Sequence, residues 1–164
     1  MQFTVTSNSP QATQNLADAL APLLSIGDVL LLHGDVGAGK TDLARKIIQN
    51  RMAKLDLLED VPSPSFTLVQ TYDLGETPFV HIDLYRLSNP DEVYELGIEQ
   101  AFEEAICLIE WPSRLGEIAP KSALNIEISI LGETKRAFKF YWSQASDWDK
   151  INTLRKFNLD NTTK

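Results

Sequence analysis

The chain is poor in the residues that build cross-links and metal cages. Its single cysteine, Cys107, excludes an internal disulfide, and its two histidines, His33 and His81, stand apart from any cysteine cluster of zinc-ligand spacing. Basic side chains are also scarce: 15 Lys and Arg face 23 Asp and Glu, for a net charge of −8. A protein that grips nucleic acid unaided usually carries a basic stripe, so tight direct binding to tRNA or DNA is disfavoured. Long apolar runs are missing, and nothing approaches the roughly 20 residues of a membrane span. The opening MQFTVTSNSP lacks the basic and apolar regions of a secretion signal. The expectation is a cytoplasmic protein in a reducing environment with no membrane partner.

What is present is an ordinary globule. The 164 residues suit one domain, with 43% apolar and 23% charged residues. Residues 2–6 alternate as a short strand. Ser9 and Pro10 look like a helix cap and first turn, and Leu16, Leu20, Leu23 and Leu24 carry the helix to about residue 24, where Gly27 breaks it. The run 29–32 (VLLL) has the unbroken apolar character of a strand buried on both faces. A glycine-rich turn and a helix over 40–50 follow, with Leu43 and Ile47 facing inward. Residues 68–72 and 79–83 read as strands, Asn89-Pro90-Asp91-Glu92 starts a helix that Gly97 interrupts, and 106–109 (ICLI) is a second buried strand. Residues 124–130 and 137–142 form a hairpin, and 147–157 a helix. These elements predict one α/β domain over residues 1–157, with a mostly parallel central sheet flanked by helices, a C-terminal β-hairpin, and a frayed tail at 158–164.

The glycine-rich turn is the most informative segment. Gly34-Asp35-Val36-Gly37-Ala38-Gly39-Lys40-Thr41 meets the P-loop pattern G-x-x-x-x-G-K-[ST] at every fixed position, between a buried strand and a helix. Glycines let the backbone curl until successive N–H groups point at phosphate oxygens, and the helix N-terminus adds partial positive charge. Gly37, Ala38 and Gly39 are thus candidate phosphate contacts, Lys40 the cation for the β- and γ-phosphates, and Thr41 a Mg²⁺ ligand. Asp42 stands out. A carboxylate there suits the helix dipole yet repels bound phosphate, unless it turns to solvent.

A P-loop enzyme also needs an acid at the end of a neighbouring strand. Glu110, after 106–109, and Asp83, after 79–82, are the candidates, and spacing leaves their roles interchangeable. His81 alternates with Asp83 and Tyr85 along one strand and reads as a structural side chain. Trp111, following Glu110, is either a stacking surface or a core aromatic. Residues 63–67 (SPSFT) combine three hydroxyls with a proline, as a loop sensing the γ-phosphate or as a stiffened connector.

In order and spacing, GDVGAGKT at 34–41, SPSFTLV at 63–69, HIDLYRL at 81–87, Leu96-Gly97 and IEWP at 109–112 resemble the TsaE family of bacterial P-loop ATPases. The resemblance covers about residues 10–115, and Asp42 and Ser65 depart from its usual threonines. It implies an ATP- and Mg²⁺-dependent ATPase, slow alone, that supports threonylcarbamoyl modification of adenosine 37 in tRNAs reading codons beginning with A. Its implied partners are the TsaD and TsaB proteins, which place tRNA in indirect contact through the complex. By the same resemblance Lys40 and Thr41 serve phosphate and Mg²⁺, Glu110 is the second Mg²⁺ residue, Asp83 an essential acid and Trp111 a required aromatic. The resemblance also implies that Thr13 and Arg136 contact the far side of the nucleotide. Competing readings are a GTPase switch, a small-molecule kinase and a nucleotide-dependent binding module. The first lacks an N-K-x-D element for guanine.

Overall fold

The computed structural model describes residues 1–156, so Phe157 and the tail at 158–164 lie outside the described residues. Seven strands form one sheet in the order β1-β7-β6-β2-β5-β4-β3. They are β1 (Gln2–Ser7), β2 (Val29–His33), β3 (Val69–Leu74), β4 (Thr77–Asp83), β5 (Ile106–Glu110), β6 (Leu124–Ile130) and β7 (Arg136–Tyr141). The central strands β6, β2, β5 and β4 run parallel. The outer pairings β1–β7, β6–β7 and β3–β4 are antiparallel. The sheet thus has the expected parallel centre and C-terminal hairpin, with antiparallel strands at both edges. Gly75 and Glu76 alone separate β3 from β4, and a connection that short can only return the chain antiparallel.

Helices cover both faces. Helix α1 (Pro10–Leu20) begins at Ser9, whose side chain accepts the Ala12 N–H at 3.1 Å, and passes into a 3₁₀ turn at Ala21–Leu23. Its stripe Ala12, Leu16, Ala17 and Leu20 packs on α2 (Lys40–Ala53), which runs about a turn beyond the sequence expectation. Arg51 of α2 donates to the carbonyls of Ala21 and Leu24, satisfying the end of that first helical segment. The other face carries the short helices α3 (Asp91–Glu95) and α4 (Ala101–Glu104), separated near Gly97, whose φ is +63°.

Strand alternation divides the core between the layers. Leu30, Leu32, Ile106, Leu108 and Phe79 join the layer under α1 and α2. Val29, Leu31, Cys107, Ile109, Val80 and Ile82 join the layer with Val93, Ile98 and Leu115. By the same period of two, His81 and Asp83 share the Phe79 face, and Glu110 shares the Leu108 face. Both strands thus deliver polar groups to the side on which α2 begins. The segment after Trp142, which carries no motif, closes the first layer: Trp148, Ile151 and Leu154 of the region around the 3₁₀ helix Asp149–Lys156 are buried there. Trp148 also donates its Nε1–H to the Ser122 carbonyl at 2.7 Å.

Candidate functional site: a glycine-rich loop and two strand-end acids

The loop leaves β2 and enters α2 through backbone that few residues tolerate. Gly37 and Gly39 have φ of +79° and +111°, and Gly34 has φ of +148°. A Cβ on Gly34 would sit 2.7 Å from the Ile128 carbonyl oxygen, so this glycine lets the loop lie directly against β6. Arg136, at the start of β7, braces the other side. Its Nε donates to the Ala38 carbonyl at 2.9 Å, and its Nη1 to the Gly132 and Lys135 carbonyls at 2.8 and 3.0 Å. Loop shape is therefore held by the hairpin as well as by its own sequence.

Lys40 is 5% exposed. Its ammonium donates to the carbonyls of Gly34 at 2.7 Å and Asp35 at 2.8 Å, and lies 4.2 Å from the centre of the Trp111 ring. Burial draws its pKa below the ordinary lysine value, against the opposing pull of Glu110, Asp83 and Asp35. Trp111 is thus a wall of the site, half-buried, contacting Tyr85 at 4.9 Å between ring centres. Its backbone is left-handed, with φ of +58°, a conformation that a bulky residue holds only where its surroundings enforce it.

The two acids are separated by their partners. Glu110 accepts the Thr41 hydroxyl at 2.8 and 2.9 Å on its two oxygens, and the His81 Nε2 at 2.8 Å on Oε1. Asp83 accepts the Tyr85 N–H on Oδ1 at 3.0 Å. Its Oδ2 takes the hydroxyls of Ser63 and Ser65 at 3.3 and 3.1 Å, and these hydroxyls lie 2.7 Å apart. Both acids are buried. Gly39, Lys40, Thr41, Asp83, Glu110 and Trp111 line a cavity of about 470 Å³.

Asp42 edges the same cavity, but its Oδ1 is paired with Lys46 at 2.6 Å and lies 3.9 Å from Arg45. Thr13 and Arg136 border a second cavity of about 270 Å³ behind Gly37, Ala38 and Gly39. The Thr13 hydroxyl is 2.8 Å from that of Ser7, so its polar atom serves the junction of β1 and α1. Sequence reasoning missed the His81–Glu110 contact, the serine latch on Asp83 and the Arg136 brace. The shared alternation of His81 and Asp83 was the one signal for the first; nothing local announced the others.

Residues 7–138 match the family described as threonylcarbamoyl adenosine biosynthesis protein TsaE. Over 129 residues the chain is 38% identical to the tRNA threonylcarbamoyladenosine biosynthesis protein TsaE of Rickettsia felis, covering 79% of this chain and 74% of that protein. It is 35% identical over 133 residues to the protein of the same description from Bacillus subtilis, with 80% of each covered. Among solved structures, YdiB of Bacillus subtilis superposes with a TM-score of 0.70 at 30% identity, covering 85% of this chain and 84% of that one.

Proposed function

The chain belongs to the TsaE family of threonylcarbamoyl adenosine biosynthesis proteins, and on that premise we propose that it is a Mg²⁺-dependent ATPase serving this tRNA modification. The observation that carries the proposal is the junction of Lys40, Thr41 and Glu110. A buried cation, a hydroxyl at a helix N-terminus and a strand-end carboxylate converge on one cavity beside a glycine loop.

The donor set fits Mg²⁺ with a nucleotide. Among the described residues no three His, Cys, Asp or Glu side chains are grouped to cage a metal. A Mg²⁺ here would be held by Thr41 and Glu110 together with phosphate oxygens and water, the sparse protein ligation this ion prefers. Bound there, it would neutralise charge on the β- and γ-phosphates. Lys40 supplies a second positive charge, and the loop N–H groups from Gly37 to Thr41 supply oriented dipoles. Because Glu110 is engaged with Thr41, we assign it to the metal. Asp83, bonded instead to Ser63 and Ser65, is the acid assigned to position the attacking water and to report the loop's state.

A docking role fits the rim of the site. Val36 is 71% exposed and Tyr85 half-exposed where they line the cavity, and Phe66, 85% exposed, follows Ser65 of the same lining. Apolar groups so exposed suit a protein contact, here TsaD and TsaB, with tRNA reached through that complex. Adenosine 37 of tRNAs reading codons beginning with A is the modified position in this proposal, and the cytoplasm its setting. No helix among the described residues is long and apolar enough to cross a membrane.

Calorimetric titration with ATP and GTP, with and without Mg²⁺, followed by product analysis, tests the reading. ATP binding that exceeds GTP binding, with release of inorganic phosphate, is expected. Failure to bind ATP, or transfer of phosphate to a metabolite, would overturn it.

A further inference from the structure

His81 does more than fill the core. It is fully buried on β4, on the face it shares with Phe79 and Asp83. Its Nε2 lies 2.8 Å from Glu110 Oε1, whereas its Nδ1 is buried with no hydrogen-bond partner among the described residues. A buried ring nitrogen without a partner is a cost that an aliphatic residue would avoid. The position therefore keeps an imidazole for its other nitrogen. Since Glu110 can only accept as a carboxylate, the neutral ring with its proton on Nε2 makes that bond and leaves no unpaired buried N–H.

The strand register explains how the contact arises. His81 pairs with Leu108 across parallel strands β4 and β5, and Glu110 lies two residues further along on the same face. The imidazole spans the gap diagonally. Glu110, 2% exposed, consequently takes donors from two elements: Thr41 from α2 and His81 from β4.

We propose that His81 is a positioning residue for the Mg²⁺ site, its Nε2–H holding Oε1 of Glu110 so that the carboxylate meets Thr41 and the metal in a fixed orientation. This rests on the assignment of Thr41 and Glu110 to Mg²⁺. Such outer partners of metal ligands typically alter metal affinity by about 10- to 100-fold when removed.

The test compares wild type, His81→Leu, His81→Asn and His81→Gln by the rise in melting temperature that ADP produces across a Mg²⁺ titration. Glutamine can place an amide N–H near the Nε2 position, whereas asparagine retains polarity but is too short to reach Glu110. Expected is a Mg²⁺ midpoint raised about tenfold or more in His81→Leu and His81→Asn, and largely restored in His81→Gln. Binding of ADP without Mg²⁺ should change little in any of them. A purely structural histidine would lower melting temperatures while leaving the Mg²⁺ midpoint at the wild-type value, and that result overturns the proposal. If His81→Leu does not fold, the Asn–Gln pair decides by the same midpoint. A wild-type protein that binds ADP but ignores Mg²⁺ would remove the metal assignment itself. One that responds to Mg²⁺ as its His81 variants do would remove only the role of His81.

Discussion

Asp83 and Glu110 are register partners across the parallel strands β4 and β5, yet their carboxylates are held by different parts of the chain. Glu110 is tied to Thr41 at the start of α2, and Asp83 to Ser63 and Ser65 in the loop before β3. Two acids that the sequence presents as equivalents thus acquire separate hydrogen-bond partners. Lys40, at the start of α2, lies near the same strand ends, and its ammonium feels both carboxylates.

This division predicts distinct variants. Asp83→Asn should retain ADP binding and lose turnover by about 100-fold or more, because it removes the proposed water-positioning carboxylate. It should also loosen the serine latch, seen as faster proteolysis within residues 63–67. Normal phosphate release by Asp83→Asn would return the water to Glu110.

Asp42 should weaken nucleotide binding despite its ion pair. Its side chain is 42% exposed and Lys46 offsets part of its charge, so the penalty is modest. Calorimetry is expected to show Asp42→Thr binding ATP about two- to fivefold more tightly at low salt, with the gap closing as salt is added. Equal or tighter binding by the native chain would show that the carboxylate does not act on phosphate.

Gly34 and Gly37 should respond differently to alanine. At Gly34 the new Cβ meets the Ile128 carbonyl oxygen at 2.7 Å, while at Gly37 nothing among the described residues lies within 4 Å. Gly37→Ala carries chiefly the strain of a positive φ, about 1 kcal/mol, whereas Gly34→Ala adds displacement of β6 or the loop, for a total of about 2–3 kcal/mol. Urea unfolding of the two variants checks the order.

Cys107 gives a pH signature. Burial pushes its thiol from an ordinary 9.0 up to about 12. Between those values the unfolded chain has lost this proton and the folded chain keeps it, so stability falls as pH rises, by about 1.4 kcal/mol per unit from this group. Cys107→Ala should show a shallower alkaline decline in denaturant midpoint than wild type. Identical slopes would contradict the buried, neutral thiol.

Local features were legible in the sequence, and long-range pairings were not. The glycine-rich loop is legible because its glycines, Lys40 and Thr41 lie within eight residues between a buried strand and a helix. Ser9 and Pro10 mark the start of α1 for the same local reason. The pairing of β1 with β7 joins residues at opposite ends of the chain, and period-two alternation is identical in parallel and antiparallel partners. The Arg136 bond to Ala38 spans 98 positions, and the His81 bond to Glu110 spans 29. Both depend on strand order and register, which the alternation of a single strand does not encode.

The proposed activity is hydrolysis of Mg²⁺-ATP under the control of partner proteins. It is tested most directly by measuring phosphate release by the chain alone and with the TsaD–TsaB pair, using Lys40→Ala as background. Slow release alone, a clear rise when the pair is added, and neither with Lys40→Ala are expected. Release that is brisk without the pair and unchanged by it, or absent in both conditions, would contradict the account.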